Sequence, residues 1–177
     1  MAYRVEIDQS NKVEDSGDTF LAFSNGIAYT IRVPFRAKRA GIDLLRQRGK
    51  SKRTATLMLF AACVYLLVEG HLSEIDRIIL DNEYAGREAD IKAFFVRFLQ
   101  KRGKTFPMQY MNVSSIGKKS EAHRLVWEAY RGISRQNKGR SNYFGTGDTN
   151  SDPIEKDRGV PFVLGANVYL QPRNGYR

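Results

Sequence analysis

The stretch LMLFAACVYLLV, residues 57–68, is apolar throughout except for the phenol of Tyr65. A helix that spans a membrane needs roughly 20 such residues. This run is too short for that, and it predicts a helix buried nearly all round inside a folded domain. The chain has 177 residues, enough for one domain with a core of its own. Hydrophobic residues make up 42%, which excludes a disordered chain. Cys63 is the single cysteine and sits inside the apolar run. It allows no disulfide within the chain and no cysteine cluster for zinc, and is expected to be a small buried hydrophobe. The opening MAYRVEID has no apolar signal region, so a reducing cytoplasm is the expected location.

The rest of the chain supplies strands and further helices. YRVEID alternates and predicts a first strand over 3–8, followed by the polar loop QSNKVEDSGD. TFLAFSNGIAYTIRVP divides at Asn25-Gly26, a two-residue hairpin signal, into strands over 19–24 and 27–33. FRAKRAGIDLLRQRG predicts a helix that stops at Gly49. DRIILD, apolar on both faces, suits a central fourth strand. In AGREADIKAFFVRFLQKRG, Ile91, Phe94, Phe95, Phe98 and Leu99 recur at helical spacing. FPMQYMNV predicts strand five, and KKSEAHRLVWEAYRGI a last helix with Ser120 as its N-cap. The order is that of an α/β domain with a mixed sheet. After Ser134 the chain turns polar and glycine-rich. Residues 1–135 are therefore expected to form the domain. Residues 136–177 are expected to form a loop and an extension with a late strand or hairpin, packed on the same domain.

Acidic residues collect where strands are expected to end. Asp8 closes the first strand and Asp81 the fourth. If these strands are neighbours, the two carboxylates come together, and they then need a shared proton or a bound cation. Hard ions such as Mg²⁺ and Mn²⁺ take oxygen ligands and serve phosphodiester hydrolysis. Glu83, two residues beyond Asp81, is in reach of the same ion, whereas Glu88 suits the positive end of a helix. Glu14 is expected at the surface, and His71 as a C-terminal helix partner.

The strand order, together with Asp8 in VEIDQS and Asp81 in IILDNEY, resembles the ribonuclease H-like superfamily of nucleases over roughly residues 3–133. Asp81-x-x-Tyr84 also looks like the matching stretch of bacterial ribonucleases H. IDQSNKVE, FSNG and DNEYAGRE resemble a group of uncharacterised, mainly archaeal proteins with this predicted fold. The resemblance implies a five-stranded mixed sheet flanked by helices, with three antiparallel strands first. It implies Asp8 and Asp81 as metal ligands and a last site residue near the start of the final helix, where His123 is favoured over Glu121. The sequence departs from the family in one respect. Ribonucleases H carry a glutamate in the first turn of the helix before strand four. RTATLMLF has no acid there, and Glu69 lies at the far end.

The chain carries 29 Lys plus Arg against 19 Asp plus Glu, a net charge of +10, which favours polyanionic partners. Arg36, Lys38, Arg39, Arg46, Arg48, Lys50, Lys52 and Arg53 crowd one stretch opposed only by Asp43. Lys118, Lys119, Arg131, Arg135, Lys138 and Arg140 form a second run. Both suit phosphate contacts. Tyr110 and Tyr143 are candidates to stack on unpaired bases, whereas core packing or a helix surface is the stronger expectation for Trp127 and Tyr130. The expected protein is a metal-dependent nuclease acting on DNA or RNA, using Mg²⁺ or Mn²⁺. A non-catalytic nucleic-acid-binding protein on the same fold is the alternative, and an assembly subunit that meets an acidic protein is a third.

Overall fold

The computed structural model describes residues 2–139, with side chains up to residue 132. Five strands form one mixed sheet: β1 (Tyr3–Ser10), β2 (Thr19–Ser24), β3 (Tyr29–Val33), β4 (Ile75–Leu80) and β5 (Met111–Val113). Their spatial order is β3-β2-β1-β4-β5. β1, β2 and β3 form an antiparallel meander, and β1–β4 and β4–β5 are parallel pairs. The helices are α1 (Phe35–Gln47), α2 (Lys52–Val68), α3 (Glu88–Lys101) and α4 (Glu121–Gly139), with a 3₁₀ turn at Met108–Tyr110. No described helix is long and apolar enough to cross a membrane.

The apolar run is the buried centre of α2, capped at its start by Ser51 Oγ, which accepts from Thr54 N. It shares one large core with Val5, Ile7, Leu21 and Phe23 of the sheet and with Ile91, Phe95 and Leu99 of α3. Phe94 and Phe98 pack at the edge of this core. Cys63 is fully buried there, and burial pushes its thiol up to about 12. α4 covers the other face of the sheet with a much smaller patch, Val126 against Phe20 and Ala22. Alternation along β1 thus sends Val5 and Ile7 to one side and Asp8 to the other.

Several expected boundaries move. β1 runs on to Ser10, so Asp8 lies inside the strand rather than at its end. Pairing with β2 explains the extension, since Gln9 and Ser10 still face Leu21 and Phe20. Asn25-Gly26 does not make a two-residue turn. Asn25 has φ 119°, and β3 starts only at Tyr29, which leaves a four-residue connection. β5 shortens to three residues because a 3₁₀ turn takes up 108–110. α1 ends as expected, with Gly49 at φ 77° just after it. α4 continues to Gly139, so the expected boundary at 135 and the start of the polar loop fall inside a helix. Arg140, Tyr143 and the expected C-terminal strand or hairpin lie outside the described residues.

Candidate metal centre

β1 and β4 are hydrogen-bonded neighbours, and Ile7 stands beside Leu80 in their register. Asp81 is the next residue after β4, and its N–H donates to Ile7 O at 2.9 Å. The backbone then turns, with Glu83 N donating to Asp81 O at 2.9 Å. Asp8, Asp81 and Glu83 are thereby brought to one place, each offering a carboxylate oxygen within 4.8 Å of the others.

Each carboxylate has its own support. Asp8 is 4% exposed; its Oδ1 accepts from Gln9 N at 2.7 Å, and its Oδ2 accepts from His123 Nδ1 at 2.7 Å. Asp81 Oδ1 accepts from the N–H of Ile116, in the loop before α4, at 2.9 Å. Glu83 faces the Lys12 ammonium, whose Nζ lies 3.6 Å from Oε2 and donates to Glu83 O at 3.1 Å. Burial raises the pKa of Asp8, against the opposing pull of His123 and Gln9, and nearby Asp81 adds to the rise. Burial likewise raises Glu83, with Lys12 opposing and Asp81 and Asp8 reinforcing. Burial is the main cause for both carboxylates and their mutual repulsion a lesser one, and a bound cation would offset both.

Three carboxylates make an all-oxygen donor set, which fits Mg²⁺ or Mn²⁺ better than a softer metal. A softer ion would call for sulfur or more nitrogen, and the cluster contains no cysteine.

His123 and Glu121 separate cleanly. Residues two apart on a helix lie about 200° apart around its axis, so one faces the sheet and the other faces away. His123 is on the sheet side, fixed by its N–H to the Ser120 cap at 3.2 Å. Glu121 is exposed and held by Arg124, which also binds Glu128. Glu121 is thus turned away from the carboxylates and does not join the cluster. Glu88 opens α3 and accepts from Gly86 N at 3.0 Å, in keeping with a helix-start role. Glu14 is exposed but accepts from Tyr84 O–H at 2.6 Å. His71 N donates to Val68 O at the end of α2, and its ring packs on Phe23 and Tyr29. Glu69 is the residue after α2, at that same end.

The basic residues also separate. Arg36, Arg39, Arg46, Lys50, Lys52, Arg53, Lys118 and Lys119 are exposed. Lys38 is not: it is 1% exposed, and its Nζ donates to Lys12 O (3.1 Å), Asp15 O (3.0 Å) and Thr19 Oγ1 (2.8 Å). Burial lowers its pKa, against the opposing pull of Asp15 and Asp18. All three ammonium protons are used, so Lys38 is a structural clamp and leaves the residues expected to contact phosphate. Lys118 and Lys119 share the loop whose Ile116 holds Asp81. Trp127 is 45% exposed, stacks parallel to Tyr130, and carries Arg131 over its ring at 4.7 Å. Both rings sit on a helix surface, with Tyr130 edge-on to Phe20.

Two contributors were missed in the sequence. Lys12 lies in a polar loop with no periodicity to single it out. Asp18 accepts from Phe35 N at 2.8 Å and pairs with Arg32, closing the start of α1 where Pro34 offers no side-chain cap. An aspartate just before a strand was the only trace of it. Comparison with protein-family models, with curated proteins and with solved structures gave no significant match.

Proposed function

We propose that this protein is a metal-dependent nuclease of the ribonuclease H-like type, hydrolysing phosphodiester bonds in DNA or RNA. The observation that carries the reading is the convergence within 4.8 Å of Asp8, inside β1, with Asp81 and Glu83, just beyond the end of the adjacent parallel strand β4. Mg²⁺ or Mn²⁺ held there supplies an activated water and offsets charge on the phosphate. The protein's own part is to hold the oxygens. Gln9 N–H and His123 fix Asp8, Ile116 N–H fixes Asp81, and Lys12 fixes Glu83. With Nδ1 on Asp8, His123 keeps Nε2 for moving a proton, and its side chain is 42% exposed. Lys118 and Lys119, exposed in the loop whose Ile116 N–H holds Asp81, and the exposed cations of α1 and the start of α2 are the residues to take phosphates.

The test is cleavage of labelled single- and double-stranded DNA, RNA and hybrids with Mn²⁺. Asp8→Asn and Asp81→Asn are expected to lower the rate by about 100-fold or more, as expected when a metal ligand is lost. Equal rates in wild type and both variants would rule the site out. His123→Ala is expected to cost about 100-fold.

A second reading, nucleic-acid binding without catalysis, is favoured by one observation: the first turns of α1 and α2 carry no acid. It predicts salt-dependent binding that survives chelation, with no cleavage of any of these substrates.

A further inference from the structure

Among the described residues the large hydrophobic side chains left exposed are Tyr110, Trp127 and Tyr130, and two of these meet on α4. Trp127 and Tyr130 lie nearly parallel, with ring centres 6.1 Å apart and planes 11° from one another. The Arg131 guanidinium stands 4.7 Å from the centre of the Trp127 ring. We propose that Trp127, braced by Tyr130 and flanked by Arg131, is a stacking platform for an unpaired base, so that the substrate is a single strand of nucleic acid. The proposal rests on the nucleic-acid part of the reading above and narrows its substrate.

Placement gives the first reason. Successive residues turn about 100° around a helix. His123, Trp127 and Tyr130 therefore share one stripe of α4, about 60° wide. His123, at the head of that stripe, holds Asp8 at 2.7 Å. Trp127 follows one turn later, about 6 Å along the axis, roughly the length of two stacked nucleotides of one strand. A strand with its phosphate at the carboxylates thus brings a neighbouring base to the indole.

Support gives the second. Tyr130 stands edge-on to Phe20, with ring centres 6.2 Å apart. Phe20 is itself buried with Ala22 and Val126 between the sheet and α4. Trp127 therefore rests on a ring that the sheet holds in place. An indole left 45% exposed adds little to the core, whereas a fixed, open ring is what a base needs to stack on.

Charge gives the third. Arg131 sets a cation beside the ring, so a base against the indole brings its phosphate to the side of a guanidinium. Aromatic rings with cations beside them hold unpaired bases without regard to sequence. The exposed acids of α4, Glu121 and Glu128, are bound to Arg124. They lie about 140–160° round the helix from His123, away from the stripe. The bases of a duplex are covered on both faces by their neighbours, so a base must be unpaired to lie on the ring.

Trp127 is the single tryptophan of the chain, so tryptophan fluorescence reports on this ring alone. The full-length protein is titrated in chelator, where no metal-dependent cleavage runs, with oligo(dT), with oligo(U) and with a blunt DNA duplex. The oligomers are expected to quench the emission and the duplex to leave it unchanged. Quenching by one oligomer alone still supports the platform and names the strand it accepts. Anisotropy of labelled oligomer follows affinity in the variants: Trp127→Ala is expected to bind about 10-fold more weakly, and Trp127→Phe to stay near wild type. Oligomers bound with unchanged emission, equal quenching by the duplex, or full affinity in Trp127→Ala would overturn the platform and leave the nucleic-acid reading standing. A dimer in sedimentation that Trp127→Ala dissociates would assign the patch to a second copy of the chain and overturn it likewise. No binding of any of the three nucleic acids would remove that reading and the platform together.

Discussion

β1 shows different chemistry to its two sides. Towards α2 and α3, Val5 and Ile7 are fully buried in a core that also takes in Phe60, Phe95 and Leu80. Towards α4, the same strand presents Asp8, and the apolar cover is little more than Phe20, Ala22 and Val126. The first side is continuous and dry, and supplies most of the hydrophobic stabilisation. The second is thin enough to tolerate a buried carboxylate and open enough for His123 to reach it. One strand can serve both ends because side chains alternate, so an acid on one face leaves the packing on the other intact. The cost of the site is confined to the face that contributes least to the core.

The sharpest way to break that comparison is to cut both faces to alanine. Phe95→Ala is expected to cost about 3–5 kcal/mol, the usual range for a buried phenylalanine. Val126→Ala, on the thin face, is expected to cost about 1–2 kcal/mol. Urea denaturation of the metal-free protein measures both, and equal losses would contradict the asymmetry.

Next comes Lys38, which joins the dry side to the β1–β2 loop. Lys38→Met removes the donor shared by Lys12 O, Asp15 O and Thr19 Oγ1. It is expected to cost about 1–3 kcal/mol for the acceptors left without a partner, while salt-dependent binding to nucleic acid stays unchanged. A fall in the salt slope would return Lys38 to the phosphate-binding surface.

Asp8→Asn works the other way. Ionised Asp8 is disfavoured by burial and by Asp81, so the neutral amide is expected to raise metal-free stability by roughly 0.5–2 kcal/mol, as functional residues often do when removed. If Mn²⁺ binds at the carboxylates, saturating Mn²⁺ is expected to stabilise the wild type and not the variant.

The smallest effect is in pH. Asp8 and Glu83 both have raised pKa values in the folded state. Without metal, the folded protein binds more protons than the unfolded chain from the ordinary carboxylate range up to the raised values. Its stability is therefore expected to fall as pH rises through that window. Mn²⁺ holds the ionised forms and should cancel the fall. Denaturation with chelator and with Mn²⁺, from pH 4 to 7, reads the difference between the two slopes.

Much of this was legible residue by residue. The limits of β2 at Thr19–Ser24, the stop of α1 before Gly49 and the Ser120 cap follow from local preferences that survive folding. Local signals misled where pairing or cover outweighed them. Pairing with β2 carries β1 past Asp8, and Asn25-Gly26 is absorbed into a wider loop. Lys38 sits among exposed arginines in the sequence, and composition offers no reason to separate it from them.

Alternation, the apolar run and the order of strands and helices are properties of the chain, because they depend on spacing along it. They were enough to fix an α/β domain and to single out Asp8 and Asp81. Tertiary structure decided which charges meet. It gave His123 rather than Glu121 to Asp8, gave Lys12 to Glu83, and turned Lys38 inward. The physical reason is distance. A charge acts over a few ångströms, and Lys12 and Glu83, 71 positions apart in the sequence, come within that range only when β1 and β4 pair.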